Sequence, residues 1–433
     1  MSSGRPLHGF RDLYPAELAQ RTWLFGRWRE VVRRYGFVEY DGPPLEPVEL
    51  YTQKSGAEIV EQLFDFTDKG GRHVALRPEM TPTFARLVGA RANALRKPVR
   101  WFAIPQLFRY EKAQQGRLRE HFQLNVDLVG EADVTADAEL VACAIDLVRA
   151  CGLTSADVRV RVSDRRILTA WLDAVGVPAA AHEVAYAVID KLERQPAEVS
   201  REKLVAAGVP EAGVAAVLGA ATATFEDVAA RLAGGDAARV ADDFRRYLGY
   251  VDALVGEPGW LRFDLSIVRG LAYYTGIVFE LFDAQGKFRA VAGGGRYDRL
   301  LGAIGGQELP ALGFGMGDVV LSLLLADRGK LGSEGTGLDF WVAAQGGDAA
   351  SLPEVMRVSA ALRARGHRVE YALREQSASK QLKAAAAAGA RVAVLLPPAT
   401  PSDATLPAGR ATVRDLASGT EQQVTLADWL AQA

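Results

Sequence analysis

Phe108-Arg109-Tyr110-Glu111, Gly116-Arg117-Leu118-Arg119 and then Gln123 bring arginines, a carboxylate and an amide together between two strand-like segments. Arginine presents a planar fork of donors that pairs bidentately with phosphate or carboxylate, so such a concentration suits a surface that holds anions. The flanking segments alternate. Phe122, Leu124, Val126 and Leu128 share one face, and His121, Gln123, Asn125 and Asp127 share the other. Trp101 to Tyr110 alternates likewise, with Arg109 and Glu111 opposite Phe108 and Tyr110, and Gly116 suits the connection of a long antiparallel hairpin. Alternation alone describes a half-solvated sheet equally well. Composition favours a working surface, because Gln, Asn, Asp, Glu and arginine are chosen here where Lys and Thr would serve for solvation.

The chain has 433 residues, enough for two or three domains with a sizeable core. Its apolar fraction of 49% and charged fraction of 24% exclude a disordered or fibrous chain. A formal net charge of -2 is unlike the strongly basic balance of many nucleic-acid binders. Locally the balance differs: Arg91, Arg96, Lys97, Arg100, Arg109, Lys112, Arg117 and Arg119 stand among few acids, chiefly Glu111 and Glu120, which either steers a polyanion or solvates a face. There is no signal-peptide core and no apolar run of membrane-spanning length, so a cytoplasmic setting and no membrane partner are expected. Cys143 and Cys151 sit in an apolar helical pattern and read as buried, reduced thiols. His8, His73, His121, His182 and His367 lack ligand spacing, so neither zinc nor a protein-built metal site is expected, and any metal should arrive with a phosphate substrate.

Positioning elements follow from pattern. Pro15, Leu18, Trp23, Leu24, Trp28, Val31 and Val32 predict an amphipathic helix ending at Gly36, and Pro43 and Pro44 impose extended chain before Glu46. Asp68-Lys69-Gly70-Gly71 predicts a turn between strands, Val74 to Leu76 leads into Arg77-Pro78-Glu79-Met80-Thr81, and a helix is predicted from Ala136 to Ala150. From about 165 to 256 the composition becomes alanine-rich and helical, an insertion bracketed by strand signals at Leu261 to Val268 and Ile277 to Phe282. The glycine run Gly293-Gly294-Gly295-Arg296 comes after them. Residues 328–337 are polar and glycine-rich and read as a linker between a core of 1–327 and a tail of 338–433. The tail alternates strand and helix at Leu338 to Ala344, Leu352 to Arg365, Val369 to Leu373, Ser377 to Ala388 and Val392 to Leu396, a small α/β unit.

Phe108 to Asp127 resembles motif 2 of class II aminoacyl-tRNA synthetases, in the histidyl-tRNA synthetase version where an FRxE strand leads through GRxR to a glutamine-bearing strand. His8-Gly9-Phe10-Arg11-Asp12 with Pro15 resembles the family's opening, Pro43 to Glu46 its motif 1, and Leu76 to Thr81 its amino-acid loop. Arg269-Gly270-Leu271-Ala272-Tyr273-Tyr274-Thr275-Gly276 is similar to its histidine signature, and Gly293 to Asp298 (GGGRYD) matches as well. The resemblance runs from about residue 7 to 430. It implies an α+β fold, with a class II antiparallel sheet flanked by helices, a helical insertion and a C-terminal α/β domain like those that bind anticodons.

The activity it implies is a histidine-tRNA ligase that uses ATP with Mg²⁺, acts on L-histidine and tRNA-His, and works as a homodimer. By resemblance Arg109 and Arg269 are catalytic, clamping the α-phosphate and the developing charge. Glu79, Thr81, Gln123, Asp127, Tyr273 and Tyr274 bind histidine, while Arg109, Glu111, Arg117, Arg119, Gly294 and Arg296 serve ATP. Three positions depart from the pattern: Asp127 stands for the usual Glu, Ala272 for Asp, and Val319-Val320 for the Glu-Arg that ends motif 3. RPEMTP, RGLAYYTG and GFGxGD together resemble a bacterial and plant-organellar branch carrying these variants as a set.

Two rivals are weaker. A synthetase-like regulatory subunit of ATP phosphoribosyltransferase generally lacks the tail, and a synthetase for proline, threonine or glycine would not carry RGLAYYTG with GGGRYD. Arg117 and Arg119 are placed to approach the tRNA acceptor end, and Lys380 and Lys383 either face the anticodon stem or form a solvated helix face. Truncation after Gly337 should impair tRNA charging more than histidine adenylation; equal loss of both in paired assays would count against separate roles.

Overall fold

The computed structural model describes residues 4–52, 60–114, 116–192, 194–232, 234–268, 274–335, 337–345, 349–398 and 409–432. Contacts divide the chain into units of residues 1–333 and 334–433. In the first unit the strands are β1 (Val38–Glu39), β2 (Leu45–Pro47), β3 (Phe64–Thr67), β4 (His73–Leu76), β5 (Val99–Ala103) and β6 (Gln106–Phe108). They continue with β7 (Glu120–Val129), β8 (Val158–Asp164), β9 (Leu261–Phe263), β10 (Ile277–Asp283), β11 (Ala292–Arg296) and β12 (Ala311–Gly317). A mostly antiparallel sheet runs β1-β5-β7-β12-β11-β10-β8-β9 with β6 also on β7, and β2-β4-β3 form a smaller sheet.

Helices α1 (Pro15–Arg34), α2 (Thr81–Arg91), α3 (Val134–Ala150), α4 (Gly235–Val255) and α5 (Asp318–Asp327) cover the large sheet or its insertion. Proline in the first turn starts α1, where a missing N–H costs nothing, and Asp133 caps α3 by accepting from Thr135 N at 2.9 Å. One face of the sheet, with Leu124, Val126, Leu128 and Met316, packs on Leu24, Trp28 and Val31 of α1, on the apolar stripe of α3, and on Leu321 and Leu324 of α5. The opposite face is covered towards one end by Phe84 and Val88 of α2, with Leu300 and Leu301. There α2 meets the helix Leu300–Gly305 so closely that a β-carbon on Gly89 would collide with Gly305.

Trp101 to Tyr110 is not one strand. Pro105 has no N–H to offer the ladder and splits it into β5 and β6, yet register is kept across the break: Ala103 pairs Asn125 and Gln106 pairs Phe122. The predicted strand from Leu261 stops at Phe263, because Asp264 turns the chain by accepting from Ser266 N at 2.9 Å. Between β8 and β9 the chain is helical, from Arg165–Ala174 through α4. Cys143 and Cys151 are buried and free.

The second unit orders its strands β14 (Val369–Tyr371), β13 (Phe340–Ala344), β15 (Val392–Leu396), β16 (Arg410–Asp415) and β17 (Glu421–Thr425). Helices Leu352–Ala364 and Ala378–Ala387 connect the three parallel strands. Expected strand–helix alternation covers only this part; the β16–β17 hairpin and a final helix, Leu426–Gln432, complete the unit. No helix among the described residues is long and apolar enough to cross a membrane.

Leu124 is fully buried in β7 beneath the polar face. Leu124→Ala should cost about 2–5 kcal/mol through lost burial and a residual cavity, read as a lower urea midpoint for the first unit's transition. A shift below about 0.5 kcal/mol would mean the site collapses freely.

Candidate active site

The polar face predicted for β7 is covered rather than solvated: Asn125 is 6% exposed and Asp127 3%. It forms the floor of a cleft of about 90 Å³ lined by Glu79, Thr81, Arg109, Gln123, Asn125, Asp127, Tyr274 and Tyr297, with Gly293, Gly313 and Gly315 beside them. Antiparallel register explains the floor. Gly313 lies opposite Asp127 and Gly315 opposite Asn125, while Gly293 and Gly295 of β11 pair Gly315 and Gly313 in turn. Side chains from β7 therefore lie across strands that have none. A β-carbon on Gly315 would sit 2.7 Å from the Gln123 amide carbon, and one on Gly313 would strike the Asp127 carboxylate and lie 2.9 Å from the Tyr297 hydroxyl.

The walls come from distant segments. Arg77, 5% exposed, donates to the Gln106 carbonyl at 3.0 Å, the Gly42 carbonyl at 2.8 Å and Asp41 at 2.8 Å, and so fixes the loop that carries Glu79 and Thr81. Thr81 opens α2. Arg109 enters from the end of β6, its Nε donating to the Pro78 carbonyl at 2.9 Å. Beside it, burial and then the Arg109 charge depress the His121 imidazole to about 4, so the ring is neutral and does not repel a second cation.

Asp127 has the most unusual environment in the cleft. Burial pushes its carboxyl up to about 7, although the hydrogen bond donated by the Tyr297 hydroxyl to Oδ1 opposes the shift. Oδ2 is buried and accepts no hydrogen bond among the described residues. A buried acceptor without a donor is costly in a finished core and suits a position that meets a ligand's N–H.

Of the expected site residues, Glu79, Thr81, Arg109, Gln123, Asp127 and Tyr274 meet around this cleft. Glu111, Arg117 and Arg119 gather farther along the hairpin. Glu111 pairs with Arg117, while Arg119 donates to the Glu111 carbonyl at 3.1 Å and lies 4.2 Å over the Tyr110 ring. Arg269 and Tyr273 lie outside the described residues.

Arg296 and Gly294, expected to serve ATP, lie off this cleft. Arg296 does not reach the cleft: neighbouring strand residues face opposite ways, and its guanidinium is directed behind the sheet to Asp137, Asp298 and the carbonyls of Glu131 and Asp133. A β-carbon on Gly294 would collide with the Gly313 carbonyl and with Phe314, and its neighbour Gly293 lines the cleft. Sequence reasoning assigned no role to Asn125, Tyr297 or the glycines of β12. Asn125 already stood on the polar face, and the alternating glycines of GFGMG carried a period-two signal; Tyr297 had only its place in GGGRYD.

Val319 and Val320, where the resemblance expects Glu-Arg, follow Asp318 in the first turn of α5. Asp318 starts α5, accepts from Phe122 N at 3.0 Å and from Arg11 at 3.0 Å, and Arg11 also bonds Glu120 at 2.6 Å. Burial opposes charge on Glu120, but Arg11 outweighs it and holds the carboxyl below the ordinary range. A β-carbon at Gly116 of the hairpin loop would meet Val320 at 3.6 Å.

The native Asp127 carboxyl keeps its proton to about 7, whereas an unfolded aspartate loses it near about 4. The native state binds more protons across that window, so Asp127's contribution is fully present in acid and is lost as pH rises through the native value. Asp127→Asn cannot ionise and should gain stability relative to wild type over that rise. Thermal melts across pH test this, and a mutant-minus-wild-type difference that stays flat contradicts a buried carboxylic acid.

Comparison with known proteins agrees in family and fold. The histidyl-tRNA synthetase family model matches residues 9–317, and an anticodon-binding domain model matches 340–432. A histidine–tRNA ligase from Opitutus terrae is 43% identical over 403 residues, covering 92% of each chain. The chloroplastic/mitochondrial histidine–tRNA ligase of Arabidopsis thaliana is 40% identical, covering 98% of this chain and 85% of its own. The crystal structure of histidyl-tRNA synthetase from Nostoc sp. PCC 7120 superposes with a TM-score of 0.82 at 22% identity, over 100% of this chain and 99% of that one. With relatives this similar along nearly its whole length, the chain belongs to the histidyl-tRNA synthetase family.

Proposed function

We propose that this chain joins L-histidine to tRNA-His in two steps, with histidyl-adenylate as the intermediate. The reading rests at the site on Asp127 Oδ2, which has no hydrogen-bond partner among the described residues, on the floor of a cleft that also holds Arg109, Gln123 and Glu79. Histidine has donors at both ends, an ammonium group and a ring N–H, and a pocket that tells it from a hydrocarbon of similar shape needs acceptors at both. Asp127 takes the ring N–H, with its other oxygen held by Tyr297, and Tyr274 and Tyr273 border the ring. Glu79, Thr81 and Gln123 take the ammonium end.

In the first step a carboxylate oxygen of histidine attacks the α-phosphorus of ATP. The new P–O bond forms as the bond to the bridging oxygen breaks and pyrophosphate departs. Arg109 binds both anions in this scheme, which lowers their mutual repulsion before reaction and stabilises charge during it. Arg269 is assigned the same role by resemblance. Mg²⁺ travels with the ATP phosphates, and Glu111, Arg117 and Arg119 contact the nucleotide or the tRNA acceptor end. In the second step a hydroxyl of the tRNA 3' end attacks the acyl carbon, and AMP leaves. The tail binds the anticodon arm, the chain works as a homodimer, and it acts in the cytoplasm.

Structural likeness extends to a Bacillus halodurans protein described as an ATP phosphoribosyltransferase regulatory subunit/histidyl-tRNA synthetase, with a TM-score of 0.72 at 22% identity. That likeness is one of fold and favours neither activity. Histidine-dependent ATP–pyrophosphate exchange separates them. Wild-type protein should exchange, and Arg109→Ala should fold yet lose on the order of 10² to 10³ in rate. Folded wild-type protein without exchange would return the chain to the regulatory reading.

A further inference from the structure

Behind the histidine cleft the sheet carries a second polar assembly that the reaction scheme does not use. Arg296 is 5% exposed. Its Nε lies 3.1 Å from Asp137 of α3, Nη1 donates to the Glu131 carbonyl at 3.0 Å, and Nη2 donates to the Asp133 carbonyl at 3.3 Å. Burial works against its charge, but Asp137 outweighs this and holds the guanidinium above the ordinary arginine value. Nη1 also reaches Asp298 at 3.3 Å. Asp298 in turn accepts from the Thr275 hydroxyl at 3.1 Å, and its own N–H donates back to that hydroxyl at 3.1 Å. The Thr275 N–H closes the circuit on the Arg296 carbonyl at 2.8 Å.

Its sequence positions give this circuit a consequence for the cleft. Tyr297 stands between Arg296 and Asp298, and Tyr274 immediately precedes Thr275; both tyrosines line the cleft. We infer that Asp298 and Thr275, braced by Arg296 against the start of α3, are positioning residues that set how Tyr297 and Tyr274 flank the substrate ring. This rests on the proposed histidine site. Tyr297 must reach Asp127 from its strand end, and its N–H is pinned to the Ala311 carbonyl at 2.7 Å while Ala311 N–H donates to Asp298 at 3.2 Å. Gly276 allows Arg296 to pass close, since a β-carbon there would lie 3.1 Å from its Cδ. A strand end tied on both sides leaves the tyrosine between the ties little freedom to swing, which is how a preorganised site lowers the cost of binding.

Thr275→Val removes the hydroxyl at nearly constant shape, Thr275→Ser restores it, and Asp298→Asn removes the charge from the other side. Histidine and ATP binding are measured separately by calorimetry on full-length protein, with thermal melts alongside. Thr275→Val and Asp298→Asn should bind histidine about tenfold more weakly, the scale of one lost hydrogen bond, with ATP affinity unchanged and Thr275→Ser near wild type. Wild-type histidine affinity in both folded variants would overturn the inference. So would an equal loss for histidine and ATP that follows a fall in melting temperature, since that marks general loosening. Wild-type protein that does not bind histidine would overturn the proposed site itself, and with it this inference.

Discussion

The antiparallel register between β7 and β12 is the constraint on which the site depends. It sets Asp127 against Gly313 and Asn125 against Gly315, so polar side chains lie flat over glycine instead of standing up against neighbours. Glycine within a strand costs roughly 0.5–1 kcal/mol relative to alanine, because the unfolded chain loses more freedom and no side chain packs. The same strand recovers packing on its other face. Leu312 and Met316 alternate with those glycines and are buried against the helical layer. One strand therefore makes a thin floor above and a dense core below, and a one-residue slip would exchange the two.

Charge is arranged unevenly around that floor. Behind it Arg296 meets Asp137, and at the start of β7 Arg11 joins Glu120 to Asp318. Buried pairs of this kind add little net stability, since desolvation offsets their attraction, but they fix geometry because breaking one leaves an uncompensated charge. They tie α3, α5 and the N-terminal segment to the strands that build the cleft. Asp127 by contrast has a tyrosine and, among the described residues, no cationic neighbour at hydrogen-bond distance, and burial pushes its carboxyl up to about 7. Structural carboxylates are neutralised from within the chain, and the one on the cleft floor is left for something else to satisfy.

Legibility followed the range of the interactions. Local signals located α1 from Pro15, the turn at Asp68-Lys69-Gly70-Gly71 and the strand at Val392 to Leu396, because capping, turn chemistry and alternation act within a few residues. The hairpin of β6 and β7 was visible as alternation, and its interruption at Pro105 follows from a missing N–H. The early end of β9 was missed because Asp264 uses its side chain to turn a backbone that alternation reads as extended. In the tail, β16 and β17 complete the sheet by pairing with β15 and with each other, and nothing local in Arg410 to Thr425 announces those partners.

The sequence by itself determined the family, the fold class and half of the residues that line the cleft, because linked motifs are ordered residue types and need no coordinates to be compared. It also placed Gln123, Asn125 and Asp127 on a single face, since a strand's period is two whatever it pairs with. Only the tertiary structure decided whether that face met water. Glycines of β12 and β11 let its side chains lie down, and Thr81 at the start of α2, Tyr274 and Tyr297 line the cleft around them, all from segments distant from β7 in the sequence. Tertiary structure likewise sent Arg296 to the back of the sheet while Tyr297, its neighbour, took the front. Which side of a strand becomes the site depends on which partners cover each face, and that choice is made by packing at a distance.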